Sequence, residues 1–169
     1  MCSAAAGETA ITVRDGPNSA TRTPAKRRVL FLCTGNSARS QMAEGLLRRR
    51  AGQFFDVLSA GTRPRTVDPM AVKVMAEIGI DISKQVSKSL EAIKDSGTIL
   101  FLIIVCANAE DECPTTFAPA GIRVSWPLED PTVVRGESNR LKKFRDVRDQ
   151  LREHIEKWLR SEVPTDWLR

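Results

Sequence analysis

The sequence predicts an α/β fold, a parallel sheet with helices on both faces. Three observations predict it. Short apolar runs alternate with stretches of helical periodicity, the pattern left by parallel strands joined through crossover helices. The run TILFLIIV at 98–105 is apolar from Ile99 onward and reads as a central strand buried on both faces. Cys33, Cys106 and Asp130, all able to do chemistry, stand at or just beyond the carboxyl ends of three such runs, where open parallel sheets bind ligands.

Taken in order, 29–32 is a buried strand and 39–50 a helix. Met42, Ala43, Leu46 and Leu47 form the apolar face of that helix, and Arg48, Arg49 and Arg50 suit its carboxyl end before Gly52. A second strand covers 54–58 and a loop follows over 59–64. Asp68 caps a helix at 69–77 with Pro69 in its first position, and Gly79 ends it. Ser87 or Ser89 starts a short helix through Lys94. Strands at 98–105 and 122–126 follow, the latter running into Pro127-Leu128-Glu129-Asp130-Pro131. The helix at 138–160 carries Leu141, Phe144, Val147, Leu151, Ile155 and Trp158 at helical spacing, a core stripe. His154 on the same helix is expected at the surface.

A chain of 169 residues that is 41% hydrophobic buries a proper core. No apolar run approaches the ~20 residues of a membrane span, so a soluble, cytoplasmic protein without membrane attachment is expected. Residues 1–26 hold no apolar signal-like stretch and read as a flexible tail before a single domain at 27–169. Up to Arg28, five cations (Arg14, Arg22, Lys26, Arg27, Arg28) face only Glu8 and Asp15, so more than half of the net charge of +5 sits at the beginning of the chain. No groove-reading or aromatic-interleaved basic element accompanies it, which argues against nucleic-acid binding.

The chemistry concentrates between the first strand and the first helix, in Cys33-Thr-Gly-Asn-Ser-Ala-Arg39-Ser40. Gly35 permits a tight turn, so the N–H groups of Thr34, Gly35, Asn36, Ser37, Ala38, Arg39 and Ser40 can converge at a helix N-terminus over the Cys33 sulfur. That arrangement binds tetrahedral oxyanions. Arg39 adds a planar fork for two oxygens, and the Ser40 hydroxyl can donate to the sulfur. The same donors and the helix dipole are expected to lower the Cys33 pKa. Alone, Cys-x5-Arg is a loose pattern; the preceding strand, Gly-Asn-Ser within it and Ser40 after it make it an oxyanion cradle. Of the other cysteines, Cys2 lies in the tail, while Cys106 and Cys113 bracket a polar segment. The single histidine gives no Cys-His dyad and no zinc spacing, so no metal is expected.

The stretch resembles the active-site loop of the low-molecular-weight protein tyrosine phosphatases. It is similar still more closely to the thioredoxin-coupled arsenate reductases built on that fold, whose loop and helix read CTGNS-x-RSQMAEG. The resemblance covers roughly Arg27 to Arg160 and implies a four-stranded parallel sheet. Ala38 stands where that family often has a further cysteine. Phosphatases of the fold use an aspartate acid, usually in Asp-Pro-Tyr, and aromatic residues that grip phosphotyrosine. Here the run is Asp130-Pro131-Thr132, and the chain contains no tyrosine.

The resemblance implies reduction of arsenate to arsenite by a Cys33 nucleophile, with Asp130 as proton donor. A thiol–disulfide relay through Cys106 and Cys113 follows, and reduced thioredoxin restores it; no cofactor is bound, phosphate or sulfate competes, and the protein is a monomer. Seven helical positions would hold the two relay cysteines ~10 Å apart, beyond the ~7 Å that a disulfide tolerates, so the segment between them must unwind. Two other readings stay open: a phosphatase using Cys33, Arg39 and Asp130, and a non-catalytic oxyanion-binding or redox-sensing module. Some arsenate reductases of the family hold potassium beside the loop, through residues corresponding to Asn36, Glu44 and Ser59 and an aspartate whose position here is Lys88. Either the Lys88 ammonium takes the ion's place in supporting the loop, or Lys88 begins a surface helix and points to solvent.

Overall fold

The computed structural model describes residues 26–106 and 121–162. Among them, β1 (Arg27–Cys33), α1 (Arg39–Ala51), β2 (Phe55–Gly61), α2 (Pro69–Ala76), β3 (Phe101–Ile104), β4 (Ile122–Ser125) and α3 (Glu137–Glu162) follow in that order. The four strands make one parallel sheet in the order β2-β1-β3-β4. β1 therefore lies inside the sheet, and Val29, Leu30, Phe31 and Leu32 are all fully buried, so both of its faces are covered. That continuous burial is why the strand reads as an unbroken apolar run.

The helices obey local rules at their ends. Asp68 caps α2 by accepting from the Met70 N–H at 2.9 Å, with Pro69 in the first turn. Gly79 takes a left-handed φ of 73° just past its end, a conformation open to glycine at no steric cost. α1 closes with the Gly52 N–H on the Arg48 carbonyl. α3 packs against α1 and α2, and its Trp158 ring meets Phe55 of β2 and Phe101 of β3 at 5.5 and 5.0 Å. α1 is buried beyond its apolar stripe, because Ser40, Gln41 and Glu44 are also enclosed.

Several sequence expectations need correction. Ser59, Ala60 and Gly61, expected in a loop, extend β2, since they pair in register with Phe31, Leu32 and Cys33 of β1. The expected strand at 98–105 is shorter, Phe101–Ile104, although the N–H groups of Leu100 and Val105 on either side still donate to the Arg28 and Leu32 carbonyls of β1. The short helix expected from Ser87 or Ser89 shrinks to a 3-10 turn at Glu91–Ile93, with the Ser89 hydroxyl accepting from the Ala92 N–H at 3.2 Å. Lys88 precedes that turn. His154 is half-buried rather than fully at the surface, stacked on Trp126 with ring centres 5.2 Å apart. Burial pushes its pKa down.

Candidate active site

β1 carries Cys33 to the carboxyl edge of the sheet, where it is 2% exposed. The chain leaving β2 then shapes the loop. N–H groups of Thr62, Arg63, Arg65 and Asp68 donate to the carbonyls of Cys33, Thr34, Gly35 and Ser37, at 3.2, 2.8, 2.8 and 2.8 Å. With those carbonyls engaged on one side, the loop's own N–H groups are left for the other. Gly61 makes this contact possible, because a Cβ there would lie 2.6 Å from the Thr34 carbonyl oxygen and 2.8 Å from the Asn36 nitrogen.

Asn36 turns the loop with φ at 43°, the left-handed region that asparagine tolerates better than most residues. Its side chain is held on every side. Oδ1 accepts from the Lys88 N–H at 2.7 Å and from Gln41 Nε2 at 3.0 Å, while Nδ2 donates to Ser40 Oγ and Ser59 Oγ, both at 2.9 Å. Because Ser40 Oγ receives that bond, its own proton is free to point at Cys33 Sγ, 2.9 Å away. The Asn36 N–H is a second donor to the sulfur at 3.1 Å.

Behind this layer lies Glu44, 3% exposed. Its carboxylate accepts from Ser59 Oγ and, at 2.5 Å, from Arg48, and Lys88 Nζ stands 3.7 Å away. One chain of contacts thus runs from Lys88 and Arg48 through Glu44, Ser59, Asn36 and Ser40 to the Cys33 sulfur. Lys88 does not begin a helix that points to solvent; it touches this network through both its backbone N–H and its ammonium.

Arg39, 8% exposed, donates to the Leu128 carbonyl at 3.0 Å and to Asp130 Oδ2 at 2.7 Å. Asp130 Oδ1 accepts from the Thr132 N–H and hydroxyl at 2.9 and 2.7 Å. Cys106, just past β3, is 2% exposed, with the Thr34 hydroxyl 3.6 Å from its sulfur. Cys33, Arg39, Cys106 and Asp130 share one cavity of about 450 Å³, and both sulfurs are free thiols. Cys113 and Cys2 lie outside the described residues.

The Cys33 pKa is where the structure departs most from the sequence reading. Burial pushes the thiol up from its ordinary value, and nearby Cys106 adds to this; the Ser40 hydrogen bonds and the Arg39 charge pull it down without outweighing burial. The sequence displays the donors but not the depth at which the sulfur sits. Sequence reasoning also missed Arg63, Arg65, Thr132 and Leu128, all of which line the cavity. The signal for the first two was an Arg-Pro-Arg run just beyond the carboxyl end of a strand.

Comparison with known proteins agrees with this geometry. The family described as "Low molecular weight phosphotyrosine protein phosphatase" matches residues 28–166. An arsenate reductase of Halalkalibacterium halodurans is 42% identical over 133 residues, spanning 77% of this chain and 93% of the relative. One from Bacillus subtilis is 40% identical over 125 residues, spanning 73% and 88%. Among solved structures, an arsenate reductase in its oxidised state superposes with a TM-score of 0.69 at 33% identity, over 80% of this chain and 98% of the other. A tyrosine phosphatase from Erwinia amylovora superposes with a TM-score of 0.67 at 20% identity, over 82% and 95%, a likeness of fold alone. With its loop, its sheet order and nearly the whole described chain matched, the protein belongs to the low molecular weight phosphotyrosine protein phosphatase family.

Proposed function

We propose that this protein is an arsenate reductase, with reduced thioredoxin as electron donor, working as a monomer in the cytoplasm. The observation that carries the reading is the second buried thiol, Cys106, in the same cavity as Cys33, in a pocket whose described lining contains no aromatic residue to hold a phosphotyrosine ring. The arsenate reductases at about 40% identity support it. No helix among the described residues is long and apolar enough to cross a membrane.

Arsenate binds to the loop N–H groups and Arg39, and the Cys33 thiolate attacks arsenic. A sulfur–arsenic bond forms, and the departing oxygen leaves with a proton from Asp130. The Cys106 thiolate next attacks the Cys33 sulfur. A disulfide forms as the sulfur–arsenic bond breaks, and its electron pair stays on arsenic, which departs as arsenite. Cys113 then attacks Cys106, freeing Cys33, and the thioredoxin dithiol reduces the resulting Cys106–Cys113 disulfide. A phosphatase would use Cys33, Arg39 and Asp130 and leave Cys106 without a task.

Disulfide mapping by mass spectrometry after arsenate treatment tests the order of events. Cys113→Ser is expected to release about one arsenite per chain and stall as a Cys33–Cys106 disulfide, whereas Cys106→Ser stalls earlier as the arsenic adduct. Steady turnover of Cys106→Ser with thioredoxin, its reductase and NADPH would replace the relay by direct attack of the outside thiol. Phosphate ester hydrolysis with no arsenite in any variant would favour the phosphatase.

A further inference from the structure

The charges around the cavity do not all serve the bound oxyanion equally. Arg39 is spent in part on Asp130, 2.7 Å away, so the two together bring almost no net charge to an anion approaching from outside. Arg65 is a further cation in the described lining, and it is exposed. Arg65 is fixed to the loop at its root: its N–H donates to the Gly35 carbonyl at 2.8 Å, and its Cδ would lie 3.8 Å from a Cβ placed on Gly35. Arg65 therefore stands against the loop and in the lining of the same cavity.

We infer that Arg65 is a capture and specificity residue that draws doubly charged tetrahedral oxyanions into the loop and favours them over ligands of lower charge; this rests on the oxyanion-binding reading of the site. The cavity, about 450 Å³, has Arg65 in its lining together with the loop residues Thr34, Gly35, Ser37 and Ala38. In this proposal the exposed arginine acts by its charge across solvent, and not as a bidentate clamp. A charge acting at that range raises the local concentration and the rate of entry of a dianion more than of a monoanion, and salt screens it over about 10 Å at 0.1 M. Lysine should therefore do nearly as well as arginine, which would not hold for a planar two-point contact.

The test uses the full-length reduced protein and inorganic arsenate and phosphate as probes. Protection of Cys33 from alkylation, followed on its own peptide by mass spectrometry, gives each probe's binding constant without requiring turnover. For Arg65→Ala the constant should weaken about 3- to 10-fold at low ionic strength and converge on that of the unaltered protein at high salt. Arg65→Lys should retain most of the affinity, and Arg65→Glu should lose more than the alanine variant. Unchanged protection in Arg65→Ala at low salt overturns the inference. So does a loss that is independent of salt and shared by Arg65→Lys, which would make the residue a packing element of the loop. Protection with the expected pattern while no arsenite is ever formed would leave the capture role standing and remove the arsenate reductase reading instead.

Discussion

Cys33 and Cys106 form a natural comparison within the molecule. They stand at the carboxyl edges of neighbouring parallel strands, β1 and β3, and each is 2% exposed. The two strands continue differently. After Cys33 the chain turns through Gly35 and a left-handed Asn36 into α1, so the Asn36 N–H and the Ser40 hydroxyl reach the sulfur at 3.1 and 2.9 Å, with Arg39 nearby. Among the described residues, Cys106 finds its hydrogen-bond partner in the Thr34 hydroxyl at 3.6 Å, and that group belongs to the first loop. A strand end places a thiol; the turn after it decides whether the thiol becomes the centre of an anion-binding cradle. The proposed mechanism uses that asymmetry, since in it the first sulfur must meet a charged oxyanion and the second only a sulfur.

The largest effect should come from breaking the favoured side. Cys33→Ser keeps the cradle but replaces a polarisable nucleophile by a neutral hydroxyl with no redox capacity. Arsenite formation should fall by about three orders of magnitude or more. Appreciable arsenite from this variant, measured in a single turnover, would mean that Cys106 is the primary nucleophile and the comparison is inverted.

Ser40→Ala sharpens the comparison by removing one donor from Cys33 alone. The sign comes from burial. A thiol pushed up ionises only as pH rises, so alkylation of Cys33 should climb through the alkaline range; loss of the Ser40 donor, which pulls the other way, should move that rise still higher. The displacement is upward because the lost hydrogen bond stabilised the charged form of the sulfur. An unchanged Cys33 alkylation profile in Ser40→Ala would remove the Ser40 hydroxyl from the electrostatics of the sulfur.

The smallest expected effect lies behind the cradle. If the Lys88 ammonium, 3.7 Å from Glu44, supplies a positive charge there beside that of Arg48, exchanging potassium for sodium at constant ionic strength should leave the melting temperature unchanged. Lys88→Asp should introduce a potassium-dependent rise of about 2–4 °C for each kcal/mol of ion binding. A selective rise in the unaltered protein would show that the network takes an outside cation despite Lys88.

The sequence alone determined what is local. Strand, glycine turn and helix lie within one uninterrupted stretch, so Cys33, Arg39 and Ser40 could be assigned to a cradle from spacing and backbone rules. The Asp68 cap and the core stripe of α3 were legible for the same reason. Tertiary structure decided what depends on segments far apart in the chain. Ser59, Ala60 and Gly61 look like a turn by composition, yet pairing with β1 makes them strand, because ladder hydrogen bonds outweigh a weak local preference. Lys88 reaches Asn36 from 52 positions away and Asp130 reaches Arg39 from 91, contacts that no periodicity encodes. The direction of the Cys33 pKa belongs to the same group. Donors near a sulfur can be counted along a sequence, but its desolvation depends on everything packed around it, and that exists only once the sheet and its helices have closed.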